Sequence, residues 1–143
     1  MNKRPCIMAV DDEPSVLRVL QRALEPAGFE VIPVMNGDSA LELMGKHRPD
    51  LVLLDIMMPG LDGFQVLHRI REQCNVPVIM LTARREITTL RDSLATGADD
   101  FVTKPFSTLE LISRIRAKLK RCRQVPSPAR EWPSDSLQSI KDV

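Results

Sequence analysis

The chain has 143 residues and a net charge of +1, with 43% apolar but only 3% aromatic residues. This length allows one domain of ordinary size with a short tail and leaves no room for a second full-sized domain. The low aromatic content argues against a stacking surface for single-stranded nucleic acid, and the balanced charge gives the chain no overall affinity for polyanions. The core must be built from aliphatic side chains and methionine.

Short apolar runs alternate with segments of helical spacing along the chain. The runs have the length and residue types of buried strands, and they cover residues 6–10, 30–34, 51–54, 78–81 and 100–103. Apolar residues then recur every three or four positions in five stripes, which begin at Val16, Ala40, Val66, Ile87 and Ile112. Pro14 suits the first turn of the first helix, whose stripe runs to Ala27, and Gly28 can end it.

This alternation is a (βα)5 pattern. Strands joined by helices pair in parallel through right-handed crossovers, and continuously apolar strands indicate a sheet covered on both faces. The sequence therefore predicts an α/β fold, an open three-layer sandwich with a parallel sheet. By analogy with flavodoxin-like folds, we expect the strand order 2-1-3-4-5.

Polar residues follow or end four of the predicted strands. They are Asp11 and Asp12 after the first, Asp55 after the third, Thr82 after the fourth, and Thr103 and Lys104 at the end of the fifth. The site of an open α/β sheet lies at the carboxyl ends of its strands. A single aspartate here could cap a helix or a turn, and a single lysine could be a solvated loop residue. Their coincidence at one edge favours a functional site.

Carboxylates brought together at one edge repel each other, so they must hold protons or share a cation. Oxygen ligands without histidine or cysteine favour Mg²⁺ over zinc or copper. A carboxylate beside Mg²⁺, with a lysine and a hydroxyl as donors, can accept a phosphoryl group, since this transfer needs in-line positioning and neutralisation of the equatorial oxygens. Asp55 is the predicted nucleophile.

Four motifs in order resemble the receiver (CheY-like) domain of two-component response regulators. They are VDDE (10–13), LVLLDIMMPGLDGF (51–64), VIMLTAR (78–84) and GADDFVTKPF (97–106). The resemblance covers about residues 5–122. It implies phosphorylation by a sensor histidine kinase, with no enzymatic activity beyond self-phosphorylation from a phosphodonor and self-dephosphorylation.

The resemblance also implies roles for the metal-binding residues. Asp55 is the implied phosphoacceptor. The implied direct ligands of Mg²⁺ are Asp12, Asp55 and the Met57 carbonyl, with Asp11 acting through an intervening water.

Further roles implied by the resemblance concern the response to phosphorylation. Lys104 would bond a phosphoryl oxygen, beside the Thr82 hydroxyl and the Ala83 N–H. Phe101 would swing inward as Thr82 moves, which makes the two residues a two-state switch. A cis bond between Lys104 and Pro105 is implied as well.

The resemblance is strongest to the OmpR/PhoB subfamily, whose receivers precede a winged-helix DNA-binding domain. It rests on LTAR (81–84), GADDF (97–101) and LISRIRAKLKR (111–121), and it implies a homodimer on phosphorylation. The implied dimer face consists of the fourth predicted helix, the fifth strand and the last helix. Its charged residues are Asp99, Asp100, Glu110, Arg114 and Arg121. The subfamily pattern pairs Asp100 with Arg114 and Asp99 with Arg121 between chains. Leu90 stands where a basic partner of Glu110 is expected.

We interpret residues 1–122 as the receiver and 123–143, which hold three prolines, as a linker or tail that could lead to a missing DNA-binding domain. DNA is expected to bind only through such a domain. Three scattered cysteines and the lack of a long apolar run predict a cytoplasmic protein with no membrane partner.

The alternatives to a receiver that controls transcription are a stand-alone adaptor and a Mg²⁺-dependent phosphohydrolase. The latter is expected to carry a second acid two residues after its nucleophile, where this chain has Met57.

Overall fold

The fold is a five-stranded parallel sheet with helices on both faces. The structure is a computed structural model in which residues 3–83 and 97–124 are described, the last two by their backbone only. The strands are β1 (Cys6–Val10), β2 (Glu30–Val34), β3 (Leu51–Asp55), β4 (Val78–Ala83) and β5 (Asp100–Lys104). The helices are α1 (Pro14–Leu24), α2 (Gly37–His47), α3 (Gly63–Gln73) and α4 (Thr108–Gln124). The fourth predicted helix, around Ile87, lies outside the described residues. The last helix includes the first two residues of the predicted tail (123–143), and the rest of that tail lies outside the described residues.

The strand order is β2-β1-β3-β4-β5, with every pair parallel, as predicted. Successive strand residues face opposite sides of the sheet, so each central strand contributes to two apolar clusters. One cluster joins Met8 and Val52 to α2 and α3, whereas the other joins Ile7 and Leu51 to α1 and α4. The three layers of the predicted sandwich are therefore present.

The central strands and the edge strands differ in burial. Every residue of β3 is buried, which explains why its sequence reads as a continuous apolar run. The edge strand β2 is only partly buried and contains Pro33, which has no N–H and is tolerated at an edge. The interior of the sheet is thus the part that can hold polar groups away from solvent at its carboxyl end.

The first helix is shorter than predicted. It ends at Leu24 rather than at Gly28, so Ala27 lies beyond it. Pro26 has no N–H to donate to the Arg22 carbonyl and stops the helical hydrogen-bond pattern. The chain then turns through Gly28, whose φ of 103° favours glycine.

Helices α2 and α3 begin at clear caps. Asn36 caps α2 by accepting from the Ser39 N–H at 2.8 Å. Asp62 and Gln65 form a reciprocal capping box at the start of α3, with both bonds at 2.9 Å. Within 3–83 and 97–124, no helix is long and apolar enough to cross a bilayer.

Candidate functional site

The carboxyl end of the sheet brings the predicted polar residues together. The last three strands run one or two residues further than the sequence indicates, so Asp55, Thr82 and Lys104 belong to the strands themselves. Asp11, Asp55 and Thr82 are the buried polar residues of the described chain, with exposed fractions of 0%, 5% and 1%. Buried polar side chains are costly unless they are paired, so their concentration at one edge indicates a site.

A cluster of carboxylates forms the centre of this site. One carboxylate oxygen from each of Asp11, Asp12 and Asp55 lies within 4.8 Å of the other two. The simpler role as helix caps does not apply, because the N-cap of α1 is Glu13, without a side-chain cap bond. Instead, Asp11 Oδ1 accepts from the Glu13 N–H at 2.9 Å, which orients the carboxylate.

Lys104 is the cation that faces these acids. Its Nζ donates to Asp11 Oδ2 at 2.9 Å and to Asp55 Oδ1 at 3.2 Å. Burial lowers the pKa of Lys104, but its hydrogen bond to Asp11 and the charges of both acids outweigh burial, so the pKa is raised above its ordinary value. The bond between Lys104 and Pro105 is cis, as predicted.

The acids outnumber this lysine, and the imbalance is visible at Asp55. Burial and, next, the charge of Asp11 raise the pKa of Asp55 to about 6, with a smaller contribution from Asp12 and against the opposing charge and hydrogen bond of Lys104. The ionised cluster is therefore held at an electrostatic cost that a divalent cation would relieve.

The donor set suits a hard cation. Three carboxylates from two neighbouring strand ends offer oxygen ligands only, which is the chemistry of Mg²⁺ and Ca²⁺ sites. Met57, whose carbonyl is a further predicted ligand, lies in the loop after β3, and the residue is 65% exposed. The carboxylates found together here are the three that the sequence proposed as metal ligands.

The predicted switch residues lie on two neighbouring strands, Thr82 on β4 and Phe101 on β5. The Thr82 hydroxyl donates to the Ala83 carbonyl at 3.2 Å, and Ala83 is opposite Lys104 in the β4 and β5 register. Phe101 is partly buried and packs on the cluster formed with α2 and α3. Phe101 is opposite Met80 and Thr82 is opposite Thr103 in this register, and the switching of Thr82 and Phe101 stays a prediction.

Charged residues of the predicted dimer face are paired within one chain. Arg114 binds both oxygens of Asp100 at 2.9 Å and Glu110 at 3.0 Å. The pair that the resemblance places between two chains thus exists in a single one, and Glu110 has Arg114 as a partner. Asp99 Oδ2 accepts from Arg71 at 2.9 Å, and Arg121 is exposed.

Sequence reasoning missed two features that shape the site. The Glu13 N–H orients Asp11, and Gly63 packs against the backbone of Asp55. A backbone donor has no signal in residue type. The glycine is visible in the motif LVLLDIMMPGLDGF (51–64), but its contact depends on how closely α3 approaches β3.

The sequence matches the family described as response regulator receiver domain over residues 7–116. The chain belongs to this family and is a receiver domain of two-component signalling. Among solved structures, it is similar to the receiver domain of the Francisella response regulator 1452, with a TM-score of 0.78 and 35% identity over 82% of this chain and 98% of that one. The receiver domain of NtrX from Brucella abortus gives a TM-score of 0.77 and 34% identity, over 80% and 98% of the two chains.

Curated relatives are similar over most of this chain. A protein of Porphyra purpurea named "Probable transcriptional regulator ycf27" is 46% identical over 124 residues, which are 87% of this chain and 51% of that protein. The chain spans about half the length of the curated relatives that it matches. These findings support the receiver interpretation and favour neither a phosphohydrolase nor a stand-alone adaptor.

Proposed function

We propose that this receiver accepts a phosphoryl group on Asp55 from a sensor histidine kinase, with Mg²⁺ as the cofactor, and later hydrolyses it. The observation that carries the proposal is the buried Asp55 carboxylate, grouped with Asp11 and Asp12 within 4.8 Å and 3.2 Å from Lys104. The membership in the receiver family supports the choice of phosphodonor.

The chemistry is a phosphoryl exchange between two nucleophiles. A carboxylate oxygen of Asp55 attacks phosphorus, a new O–P bond forms, and the P–N bond to the donor histidine breaks. Bound Mg²⁺ supplies neutralisation of the phosphoryl charge. Lys104, which already reaches Asp55, donates to a phosphoryl oxygen. Water later attacks phosphorus, breaks the acyl O–P bond and returns the carboxylate and inorganic phosphate.

The burial that raises the pKa of Asp55 also affects how strongly its carboxylate attacks phosphorus. A carboxylate that is poorly solvated is a stronger nucleophile, but only its ionised form attacks. A cation that joins Asp11, Asp12 and Asp55 favours ionisation of all three. Without the cation, the phosphoryl charge would face three carboxylates balanced by one lysine, so we expect that the metal-free protein is not phosphorylated.

Intact mass spectrometry tests the proposal. The chain is incubated with a small acyl- or amidophosphate and Mg²⁺, and we expect a single added phosphate. Asp55→Asn should abolish the adduct, and excess chelator should prevent it in the unchanged chain. Asp50→Asn, a change at the opposite end of the same strand, is the matched control and should keep it. An adduct that persists in Asp55→Asn would overturn the assignment.

Transcription regulation is the output that we propose for the protein to which this receiver belongs. It is supported by the names of the curated relatives and by their length, about twice the span matched here. DNA would be contacted by a separate domain. The 143-residue chain should therefore show no sequence-specific DNA binding at physiological salt, and a specific shift would contradict this division of roles.

We further propose that phosphorylation forms a homodimer through β5 and α4. The support is the exposed charged surface around Arg114, Asp100 and Glu110, which could exchange ion pairs with a second copy. Sedimentation should show a monomer alone and a salt-sensitive dimer with an acyl-phosphate mimic, weakened by Arg114→Glu. An unchanged mass with the mimic at high protein concentration would rule out this face.

A further inference from the structure

The first residue of α3 lies unusually close to the backbone of the phosphoacceptor. A Cβ atom built on Gly63 would collide with the Asp55 carbonyl oxygen and lie 2.7 Å from Ile56 Cα. Cβ atoms in proteins essentially never lie within 3.0 Å of a heavy atom from a non-neighbouring residue. Gly63 is therefore required by a close approach, because only a residue without a side chain lets α3 sit against this part of β3.

Neither side of this contact can move easily. The Ile56 N–H donates to the Leu81 carbonyl at 3.1 Å, which ties the end of β3 to β4. The Ile56 carbonyl accepts from the Gly63 N–H at 2.9 Å, and the capping box of Asp62 and Gln65 holds the start of α3. The atoms in the way belong to backbone, so a collision would shift the strand end or the helix rather than a flexible side chain.

The contact with Gly63 lies at the peptide bond between Asp55 and Ile56, in the segment that carries two groups of the proposed site. Asp55 carries the nucleophilic carboxylate on one side of it, and the predicted Met57 carbonyl ligand follows on the other. A functional group must be held within about 0.5 Å of its productive position. A displacement of the strand end would change both the spacing within the carboxylate cluster and the contact with Lys104.

We infer that Gly63 is a positioning residue for metal binding and phosphoryl acceptance. Because Gly63 has no side chain, α3 packs directly against the backbone of Asp55, and this packing fixes the position of the Asp55 carboxylate relative to the other acids and Lys104. The inference rests on the proposed function. Gly63 touches neither the metal nor the phosphoryl group and acts through the backbone of Asp55 and Ile56.

Gly63→Ala tests the inference against Gly28→Ala. The control also strains the protein, since Gly28 has a φ of 103°, but a Cβ there meets nothing within 4 Å and the residue precedes β2, at the other end of the sheet. Calorimetric Mg²⁺ titration and phosphorylation at saturating Mg²⁺ are measured on the full chain, per folded molecule, at low temperature.

We expect Gly63→Ala to raise the Mg²⁺ dissociation constant about threefold or more and to slow phosphorylation about tenfold, since small misplacements of reacting groups have effects of this size or larger. Gly28→Ala should change neither, although both variants unfold at lower urea concentrations. If the wild type is phosphorylated and Gly63→Ala matches Gly28→Ala in both readouts, the inference is overturned while the proposed function stands.

Asp62→Ala provides the test if Gly63→Ala does not fold. It removes the capping bond to the Gln65 N–H and loosens the start of α3 without adding a Cβ at Gly63. We expect an effect in the same direction, about twofold, on Mg²⁺ affinity, and equality with Gly28→Ala would overturn the inference in that case. A wild type that neither binds Mg²⁺ nor is phosphorylated would instead overturn the proposed function.

Discussion

An aspartate lies just before β3 and another ends it, and the two have different roles. Asp50, just before the strand, accepts from the Cys6 N–H at 2.7 Å and donates its own N–H to the Cys6 carbonyl at 2.8 Å. Asp55, the last residue, faces other carboxylates and Lys104, and its pKa is raised to about 6. Asp50 joins β1 to β3 through its hydrogen bonds to the backbone of Cys6. Asp55, by contrast, lies where its ionised form is unfavourable without a cation. Surroundings, and not residue type, separate the structural acid from the chemical one.

Removing Lys104 should have the largest effect on stability. Lys104→Met leaves the acids uncompensated, and breaking such a buried pair costs about 3 to 5 kcal/mol. We expect the lower end, because the side chain is 22% exposed. Urea unfolding without metal should show this loss, and saturating Mg²⁺ should restore most of it. If Mg²⁺ stabilises Lys104→Met no more than the unchanged protein, the lysine does not balance the acid cluster.

Removing Asp50 should also destabilise the chain, for a different reason. Asp50→Ala leaves the partly buried Cys6 N–H without its acceptor, which costs about 1 to 3 kcal/mol. Mg²⁺ should not reverse the loss, since Asp50 is at the other end of the strand. Urea midpoints with and without Mg²⁺ measure both effects, and a selective rescue by the metal would contradict the comparison.

Asp55→Asn should change stability in the opposite direction. The folded pKa of about 6 exceeds the ordinary 3.8, so protonation of Asp55 stabilises the fold below pH 4, and this contribution is lost as pH rises to about 6. One pKa unit corresponds to about 1.4 kcal/mol, and we expect about 1 to 3 kcal/mol in total.

The difference between wild type and Asp55→Asn isolates this contribution from that of other acids. Urea unfolding with chelator from pH 4 to 7 should show the variant gaining stability relative to wild type as pH rises, with the whole gain present at pH 7. Parallel pH profiles for the two proteins would exclude a raised pKa at Asp55.

The smallest effect is expected at the surface. Arg114 pairs with Asp100 and Glu110, but its side chain is 39% exposed, and exposed pairs contribute about 0.2 to 1 kcal/mol each. Arg114→Met should therefore lower the free energy of unfolding by about 1 kcal/mol or less, and 1 M salt should remove most of the difference. A loss as large as that of Lys104→Met would show that burial does not separate the two ion pairs.

Much of the fold and the site was predictable because their signals are local. Continuous apolar runs mark strands that are buried on both faces, and the stripe from Val16 marks a helix that covers one of them. The parallel sheet then places Asp11, Asp55 and Lys104 at one edge whatever the details of packing. The first helix was predicted too long because the apolar stripe continues past Pro26, and a stripe does not report a missing N–H donor.

The sequence by itself determined the order of the elements, the identity of the acids and the edge where they meet, since periodicity and strand direction are properties of the chain. Only the tertiary structure decided that Arg114 pairs with Asp100 in the same chain, that Glu13 orients Asp11 through its backbone, and that α3 approaches β3 closely enough to require Gly63. These features depend on distances between segments far apart in sequence or on backbone atoms that every residue shares, and neither leaves a pattern of residue types.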